Sequence, residues 1–472
     1  MIHANSVELW NKRFQETKTA KLAKALVAFN ANVDAVVLGL HQPAKALHGF
    51  MKEELESVEK QSESEPKEIR DEIDFFASLL HCIKTGKALH LHATQGVFDW
   101  FEKAFKPDER RMGGQAGIMA NQLSAFHDFV LAYSALLSPA QASFFDQNVC
   151  FPTTSGKKLV CHPAKKVARK GDPTKVNWIF EFKAGEKMKF VSEFQAPRSN
   201  RLIVSSVLPY QPVFHNLDLK QLAKHADVAF LAGFHQLHKE KNFQEVLKKV
   251  VSQIEELQKA NQTLVVHWEF VPIDDKRVEK QVLLSLGKPI QSFGLNEIEA
   301  VEVLQMIGAK KEADRIKKME NAFTLYKGCK KIMDLLKMER VHLHNLGFQL
   351  LVLKKPYPVP PEKARDALVL SSIIASLKAM KGRGFVSKQN LKSHSLLPSE
   401  LGFNQLRALE GGIDDERTKR HSSFLRRELL ENGIFDLDDH YVILVPSPIV
   451  KLQSTVGLGD VISSIALAAE RG

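Results

Sequence analysis

The chain has 472 residues, 44% hydrophobic and 26% charged, which is ordinary globular make-up and excludes collagenous, low-complexity and small disulfide-scaffold designs. Lys and Arg outnumber Asp and Glu by 66 to 55, a net charge of +11 that suits anionic partners such as phosphorylated metabolites. The basic residues are dispersed apart from KKVARK at 165–170, and no nucleic-acid signature accompanies them, so no nucleic-acid partner is expected. There is no run of about 18 uncharged apolar residues and no apolar leader, so neither a membrane span nor a secretory signal is expected, and a cytoplasmic location is. Cys82, Cys150, Cys161 and Cys329 form no C-x-x-C pair, and the expectation is four free thiols and no zinc site.

In chain order, the first expected helix covers 7–22, and 24–39 (KALVAFNANVDAVVLG) reads as one buried strand ending in polar residues. The charged stretch 51–72 reads as a solvated helix or loop, and 73–86 as a helix stopped by Gly86. A Gly-rich turn and a helix follow at 111–126. Residues 175–205 alternate apolar and polar around Gly185, the pattern of an antiparallel hairpin. From 227 onward the rhythm changes. Short apolar strands at 228–233, 263–270, 289–294, 341–353 and 441–446 are separated by helical patterns at 243–260, 296–308 and 367–379. That alternation predicts a mainly parallel sheet covered by helices on both faces, with a smaller sheet inserted over it.

Ligands of such sheets bind beyond the carboxyl ends of the strands. The residues there are polar: Asn32 and Asp34, 233–235, 267–269, 296–299 and 344–347. The strongest chemical signal is STVGLGDVISSIALAAE at 454–470, a Gly-rich turn followed by an Asp and an amphipathic helix. Glycines at 457 and 459 permit a backbone path whose free N–H groups cradle an anion at a helix N-terminus. Asp460 then stands where it could take a proton from a hydroxyl nucleophile, or simply cap the helix. Glu269 ends a strand in HWEF, and Asn296 and Glu299 open a helix in NEIE. Two such carboxylates suit a Mg²⁺ ion that keeps most of its water, although Glu299 alone also fits the helix dipole and His267 alone fits a core histidine.

TVGLGD, HWE, NEIE, MGGQAGIMAN, FNANVD and APRSNRLI, present together, resemble the ADP-dependent sugar kinases, the phosphofructokinase and glucokinase family of the ribokinase-like superfamily. The resemblance spans about 29–464. It implies a ribokinase-like three-layer α/β/α core with a smaller α+β lid inserted discontinuously. The expected division is 1–38, 113–155 and 206–472 for the large nucleotide-binding domain, and 39–112 and 156–205 for the lid. It further implies attack of a sugar hydroxyl on the β-phosphate of ADP with release of AMP, Mg²⁺ as cofactor, and a monomer or weak oligomer.

Residue by residue, the resemblance makes Asp460 the catalytic base and Gly457, Leu458 and Gly459 the anion hole, with Arg201 reaching the nucleotide phosphates. Glu269 and Glu299 would hold Mg²⁺, largely through water, and Asn296 belongs to the same motif. Asn32 and Asp34 would grip sugar hydroxyls, with Gly113, Gly114 and Gln115 on the sugar's other side. Val445, Pro446 and Val450 would flank the adenine, and His344 is placed with the nucleotide site. Each of these also has a plain structural reading as turn, helix-entry, surface or core residue.

The lid departs from the glucokinase pattern. His90 stands where a glutamate is expected, and Asn177 where a histidine is. Lys183, in FEFKAGEK, is a candidate for holding a sugar phosphate, or a solvent-facing lysine. Fructose 6-phosphate is therefore placed ahead of glucose. An ADP-dependent glucokinase or a bifunctional enzyme is the alternative, followed by an ATP-using enzyme of the same fold and a non-catalytic sugar- or nucleotide-binding regulator.

Overall fold

The computed structural model describes residues 4–17, 20–127, 129–155, 158–206, 208, 210–418, 431–454 and 456–472. Its strands, in chain order, begin with β1 (Ala25–Phe29), β2 (Asn32–Leu38), β3 (Leu89–Ala93), β4 (Glu109–Gly113), β5 (Val130–Ser134), β6 (Val149–Ser155) and β7 (Lys158–Pro163). Then come β8 (Val176–Phe182), β9 (Lys187–Lys189), β10 (Glu193–Gln195), β11 (Asn200–Ser206), β12 (Val228–Leu231), β13 (Val265–Glu269) and β14 (Ser292–Leu295). Last are β15 (Arg340–Asn345), β16 (Phe348–Lys354), β17 (Ile434–Asp436) and β18 (His440–Pro446).

Eleven strands form one sheet in the order β17-β18-β16-β15-β14-β13-β12-β1-β5-β6-β7. The run from β15 through β6 is parallel, and β16, β18, β17 and β7 are antiparallel additions at its two sides. β1, β12 and β14 are buried at every position, which is why ALVAF, VAFL and SFGL are nearly uninterrupted apolar runs. The helices Gln115–Ser124, Pro361–Lys381 and Leu458–Arg471 pack on one another in one layer; Phe243–Ala260, Lys276–Leu286, Glu297–Met306 and Ala322–Leu336 form another.

The second sheet has the order β3-β11-β8-β2-β4. One face is closed by the helices Glu72–Thr85 and Gln95–Ala104 around an aromatic cluster in which Phe75 meets Phe180 at 4.7 Å and Phe101 meets Trp178 at 5.5 Å between ring centroids. These residues form a core of their own, separate from the core of the large sheet. The expected fold class, a large α/β core with a smaller, discontinuously inserted α+β unit, is the one observed.

Several expectations need correction. The single strand expected at 24–39 is two, because the chain leaves the large sheet after Phe29 and enters the small one at Asn32. Sheet membership thus changes before residue 38, and β7, beyond residue 156, pairs in the large sheet. The strand expected at 341–353 is a hairpin, turned at Leu346 and Gly347, where Gly347 has φ +85°. Cys150 and Cys161 are not free thiols; they are bonded across the β6–β7 hairpin, while Cys82 and Cys329 are free and buried. Their eleven-residue spacing hid the pair, because only the hairpin register brings the two together.

Candidate active site

The carboxyl end of β1 is the topological switch point of the large sheet, since β12 and β5 flank it on opposite sides and run parallel to it. The small sheet turns its polar face toward this point. Alternation decides which residues appear there: Leu202, Val204, Trp178, Phe180 and Ala35 enter the aromatic core, so their neighbours in sequence face the other way. Register then lines up one row across all five strands, His92–Ser205–Asn177–Asp34–Arg111. His90 Nε2 lies 2.5 Å from Ser205 Oγ, which donates to Asn177 Oδ1 at 2.8 Å, so His90 and Asn177 are tied together across three strands of the small sheet.

Between the sheets is a cavity of about 180 Å³ lined by Asn32, Asp34, His90, Gly114, Gln115, Asn177, Gly457 and Asp460, together with Lys175, His235 and Gln236. Asn32 Nδ2 donates to Asp34 Oδ1 at 2.7 Å. Both side chains lie over bare backbone. A Cβ on Gly113 would stand 2.0 Å from Asp34 Oδ1, and one on Gly114 would stand 2.7 Å from Asn32 Oδ1. Three buried amide oxygens in this wall, on Asn32, Gln115 and Gln236, have no hydrogen-bond partner among the described residues. Such acceptors are costly to bury unless a ligand supplies donors. Burial raises the Asp34 carboxyl to about 6, against the opposing pull of Arg111, the Asn32 bond and Lys175.

On the large-domain side, Gly457 caps the helix Leu458–Arg471 with φ +69°, and Ile118 leaves no room for a side chain there, since a Cβ would meet its Cδ1 at 2.6 Å. Asp460 lies in the first turn. Burial, then the nearby Glu269 charge, lift its carboxyl to about 7, although His344 and Lys378 pull the other way. Glu269, at the end of β13, is gripped from both sides: His344 Nε2 is 2.8 Å from Oε1 and His267 Nε2 is 3.1 Å from Oε2. Burial disfavours this carboxylate, yet the two imidazoles hold its carboxyl well below the usual range. Burial likewise disfavours a charged His344, but the bond and charge of Glu269 carry it up to about 9. The His344 ring rests on Gly459, where a Cβ would meet Cε1 at 2.8 Å, and so joins the anion loop to the acidic pair.

Asn296 caps the helix Glu297–Met306 in a reciprocal box: its Oδ1 accepts from the Glu299 amide at 2.9 Å, and Glu299 Oε2 accepts from the Asn296 amide at 2.8 Å. Burial raises the Glu299 carboxyl to about 8, with Glu269 and Asp460 adding to it and His344 opposing. Three mutually repelling carboxyl groups, Glu269, Glu299 and Asp460, thus meet around one imidazolium. Such a set fits a hard divalent cation, which relieves the repulsion. Among the described residues no three acidic, histidine or cysteine side chains converge closely enough to ligate a metal directly.

Arg201 stands on β11 opposite Glu181 of β8, half-buried on the polar face of the small sheet. Val445 is fully buried in the core opposite Gln349 and presents no surface to a ligand, so the expectation that it flanks an adenine is corrected. Pro446 packs over Gly402, and Val450 is half-exposed in the following loop. Near them Leu346, Leu401 and Ile449 leave apolar side chains 63%, 40% and 50% exposed. Lys183 is also corrected: it lies past the end of β8 in the exposed turn and does not line the cavity. The lysine that does is Lys175, one residue before the same strand. It is only 4% exposed, with Nζ 3.2 Å from Asn30 Oδ1. Sequence reading passed over it because a lysine before a strand looks like a surface residue. The adjacent Asn32 and Asp34 were the only local signal. His235 and Gln236, on the 3₁₀ turn Phe234–Lys239, were likewise missed beyond the bare note of polar residues after β12. Thr455, in the TVGLGD motif, lies outside the described residues.

A doubly covered α/β sheet with a glycine turn opening a helix, a buried carboxylate in that helix's first turn and a cavity under a second sheet is the arrangement of a small-molecule kinase. Residues 23–469 match the model of the conserved region of ADP-specific phosphofructokinase/glucokinase, and the chain belongs to that family. It is 30% identical to an ADP-specific phosphofructokinase of Methanosarcina acetivorans, over 98% of this chain and 97% of that protein. It is 32% identical to an ADP-dependent glucose/glucosamine kinase of Pyrococcus abyssi, over 95% of each chain. Among solved structures, an ADP-dependent kinase in complex with fructose 6-phosphate and ADPβS superposes with a TM-score of 0.82 at 30% identity, covering 100% of this chain and 99% of that one. The fold is thus that of the solved ADP-dependent kinases.

Proposed function

We propose that this chain is an ADP-dependent phosphofructokinase that moves the β-phosphate of ADP to a hydroxyl of fructose 6-phosphate and releases AMP. The observation that carries the reading is the cavity in which Asp460 and the Gly457 loop face Asn32, Asp34 and three unpaired amide oxygens. The sugar lies there, with hydroxyls donating to Asn32 and Asp34 and backbone crossing at Gly113 and Gly114. Asp460 accepts the proton of the attacking hydroxyl; a carboxyl near 7 is well matched to that task at neutral pH. The amides of Gly457, Leu458 and Gly459 receive the charge that builds on the transferring phosphoryl, and Arg201 adds its forked donors from the lid. Bound Mg²⁺ would neutralise diphosphate charge, held through water by Glu269 and Glu299. The adenine packs on Pro446, Val450 and the exposed apolar side chains beside them, with His344 and Asn296 between it and the reacting phosphate.

The division into a large nucleotide-binding domain and a lid follows the two cores, and closing of the lid excludes water from the transfer. We assign it as a monomer or weak oligomer of the cytoplasm; no described helix is long and apolar enough to cross a membrane. Fructose 6-phosphate is favoured over glucose by His90 and Asn177, bound to each other through Ser205, and by the buried cation of Lys175. Glucose phosphorylation is the second reading, favoured by the 32% identity to a glucose/glucosamine kinase. AMP release measured with ADP and Mg²⁺ against both sugars in parallel separates the two. A higher kcat/KM with glucose would replace the first reading with the second, and AMP release without any sugar would remove both.

A further inference from the structure

Glu269 does not stand alone at the end of β13. His267, Ser292 and Arg340 are register partners on the adjacent strands β13, β14 and β15, so their side chains form a row through the core. His267 Nδ1 is 2.8 Å from Ser292 Oγ, Arg340 donates to the same Ser292 oxygen at 3.2 Å, and Arg340 Nε donates to Glu470 Oε2 at 3.0 Å. Tyr357 closes the row by donating to the other Glu470 oxygen. His267, Ser292 and Glu470 are fully buried and Arg340 is 1% exposed. A buried ion pair adds little net stability by itself, so its place in the row asks for another explanation.

The donors and acceptors at the two ends set the sense of the row. Arg340 can only donate, so Ser292 Oγ accepts from it. The Glu269 carboxylate can only accept, so His267 Nε2 carries a proton toward it. With its oxygen occupied by Arg340, the Ser292 hydroxyl has its one proton free to point at His267 Nδ1, 2.8 Å away. The chain of bonds then runs in a single sense, from Arg340 through Ser292 and His267 to one oxygen of Glu269. Glu470 completes it from the last turn of the helix whose first turn holds Asp460.

We propose that Ser292 and Arg340 are positioning residues that, through His267, fix the donor orientation on Glu269 and so aim its remaining lone pairs at the hydrated cation of the diphosphate donor. The inference rests on the proposed kinase reading for the cation's role, while the proton arrangement is independent of it. Outer-shell bonds of this kind typically change metal affinity 10–100-fold when lost.

The test uses the intact chain and a pair of variants of matched shape. Ser292→Thr keeps the hydroxyl and Ser292→Val replaces it with a methyl. The affinity for ADP is measured by calorimetry with and without Mg²⁺, and the Mg²⁺ requirement of turnover is measured alongside. Ser292→Val should weaken the Mg²⁺-dependent part of ADP binding about tenfold or more, with Ser292→Thr within about twofold of the parent and sugar KM unchanged in both. Equal behaviour of the two variants would mean a packing role only and would overturn the proposal. A neutron structure of the unsubstituted enzyme reads the row directly, even where a variant does not fold. Deuterium on His267 Nε2, with the Ser292 hydroxyl pointing to Nδ1, is expected, and deuterium on Nδ1 overturns the proposal. Absence of sugar-dependent AMP release would instead count against the kinase reading and leave the neutron result to stand by itself.

Discussion

Gly113→Ala is the sharpest probe of the sugar cavity. A methyl group there would lie 2.0 Å from Asp34 Oδ1 and 2.4 Å from Asn32 Nδ2, so both side chains must swing off the backbone. The Asn32–Asp34 bond of 2.7 Å breaks with that movement, and with it the presentation of both groups to a sugar. A hydrogen bond to a charged group contributes about 1.5–3 kcal/mol, so loss of the carboxylate contact alone raises the sugar KM about 10- to 150-fold. The proposed nucleotide contacts other than Arg201 lie on the large domain, and ADP affinity should not change. The assay is initial-rate AMP formation over a range of fructose 6-phosphate, with ADP affinity measured by calorimetry on the same preparation. A sugar KM within threefold of the parent, in a variant that folds and binds ADP normally, would refute the assignment of Asn32 and Asp34 as the sugar grip.

Asp460→Asn should lower kcat by about 10²–10⁴-fold with ADP affinity retained, and the parent's kcat/KM should fall with unit slope as pH drops below about 7, where the Asp460 carboxyl takes up its proton. Because that carboxyl is raised in the fold, the native state loses stability as pH climbs from about 4 to 7; a melting curve should therefore show Asp460→Asn above the parent at pH 8, with the gap closing toward pH 4. Lys175→Gln should raise the KM for fructose 6-phosphate at least tenfold and change that for glucose far less; equal effects on both sugars would assign Lys175 to the Asn30 contact alone. Thiol titration of the denatured, unreduced protein should find two groups, Cys82 and Cys329; four would contradict the Cys150–Cys161 pairing.

Those sites follow unequally from the sequence. The fully buried parallel strands and the 18-residue helix Phe243–Ala260 are legible because local apolar period and burial coincide there. The carboxyl-end polar residues are legible for the same reason: strands end where water, or a ligand, begins. What local pattern cannot supply is sheet membership. FNANVD continues an apolar run with no break, so nothing in it says that Phe29 and Asn32 belong to different sheets. The hairpin at Leu346–Gly347 was hidden in the same way, because both arms are buried and read as one strand. The Lys183 expectation failed on register. Lys175, at the other end of β8, enters the cavity, and only the pairing of β8 with β2 and β11 distinguishes the two ends. The row from Glu269 to Glu470 was beyond sequence reasoning altogether, since its members are up to 203 residues apart and meet only through the parallel registers of β13, β14 and β15.

The claim at the centre is that the phosphoryl group received at the Gly457–Asp460 loop comes from the terminal position of ADP. ADP labelled at its β-phosphorus, incubated with enzyme, Mg²⁺ and fructose 6-phosphate, tests it directly. The label should appear wholly in the sugar bisphosphate, with unlabelled AMP formed in equal amount and no transfer when Asp460 is replaced by Asn. Label released as inorganic phosphate, or a sugar phosphorylated only when ATP is supplied, would contradict it.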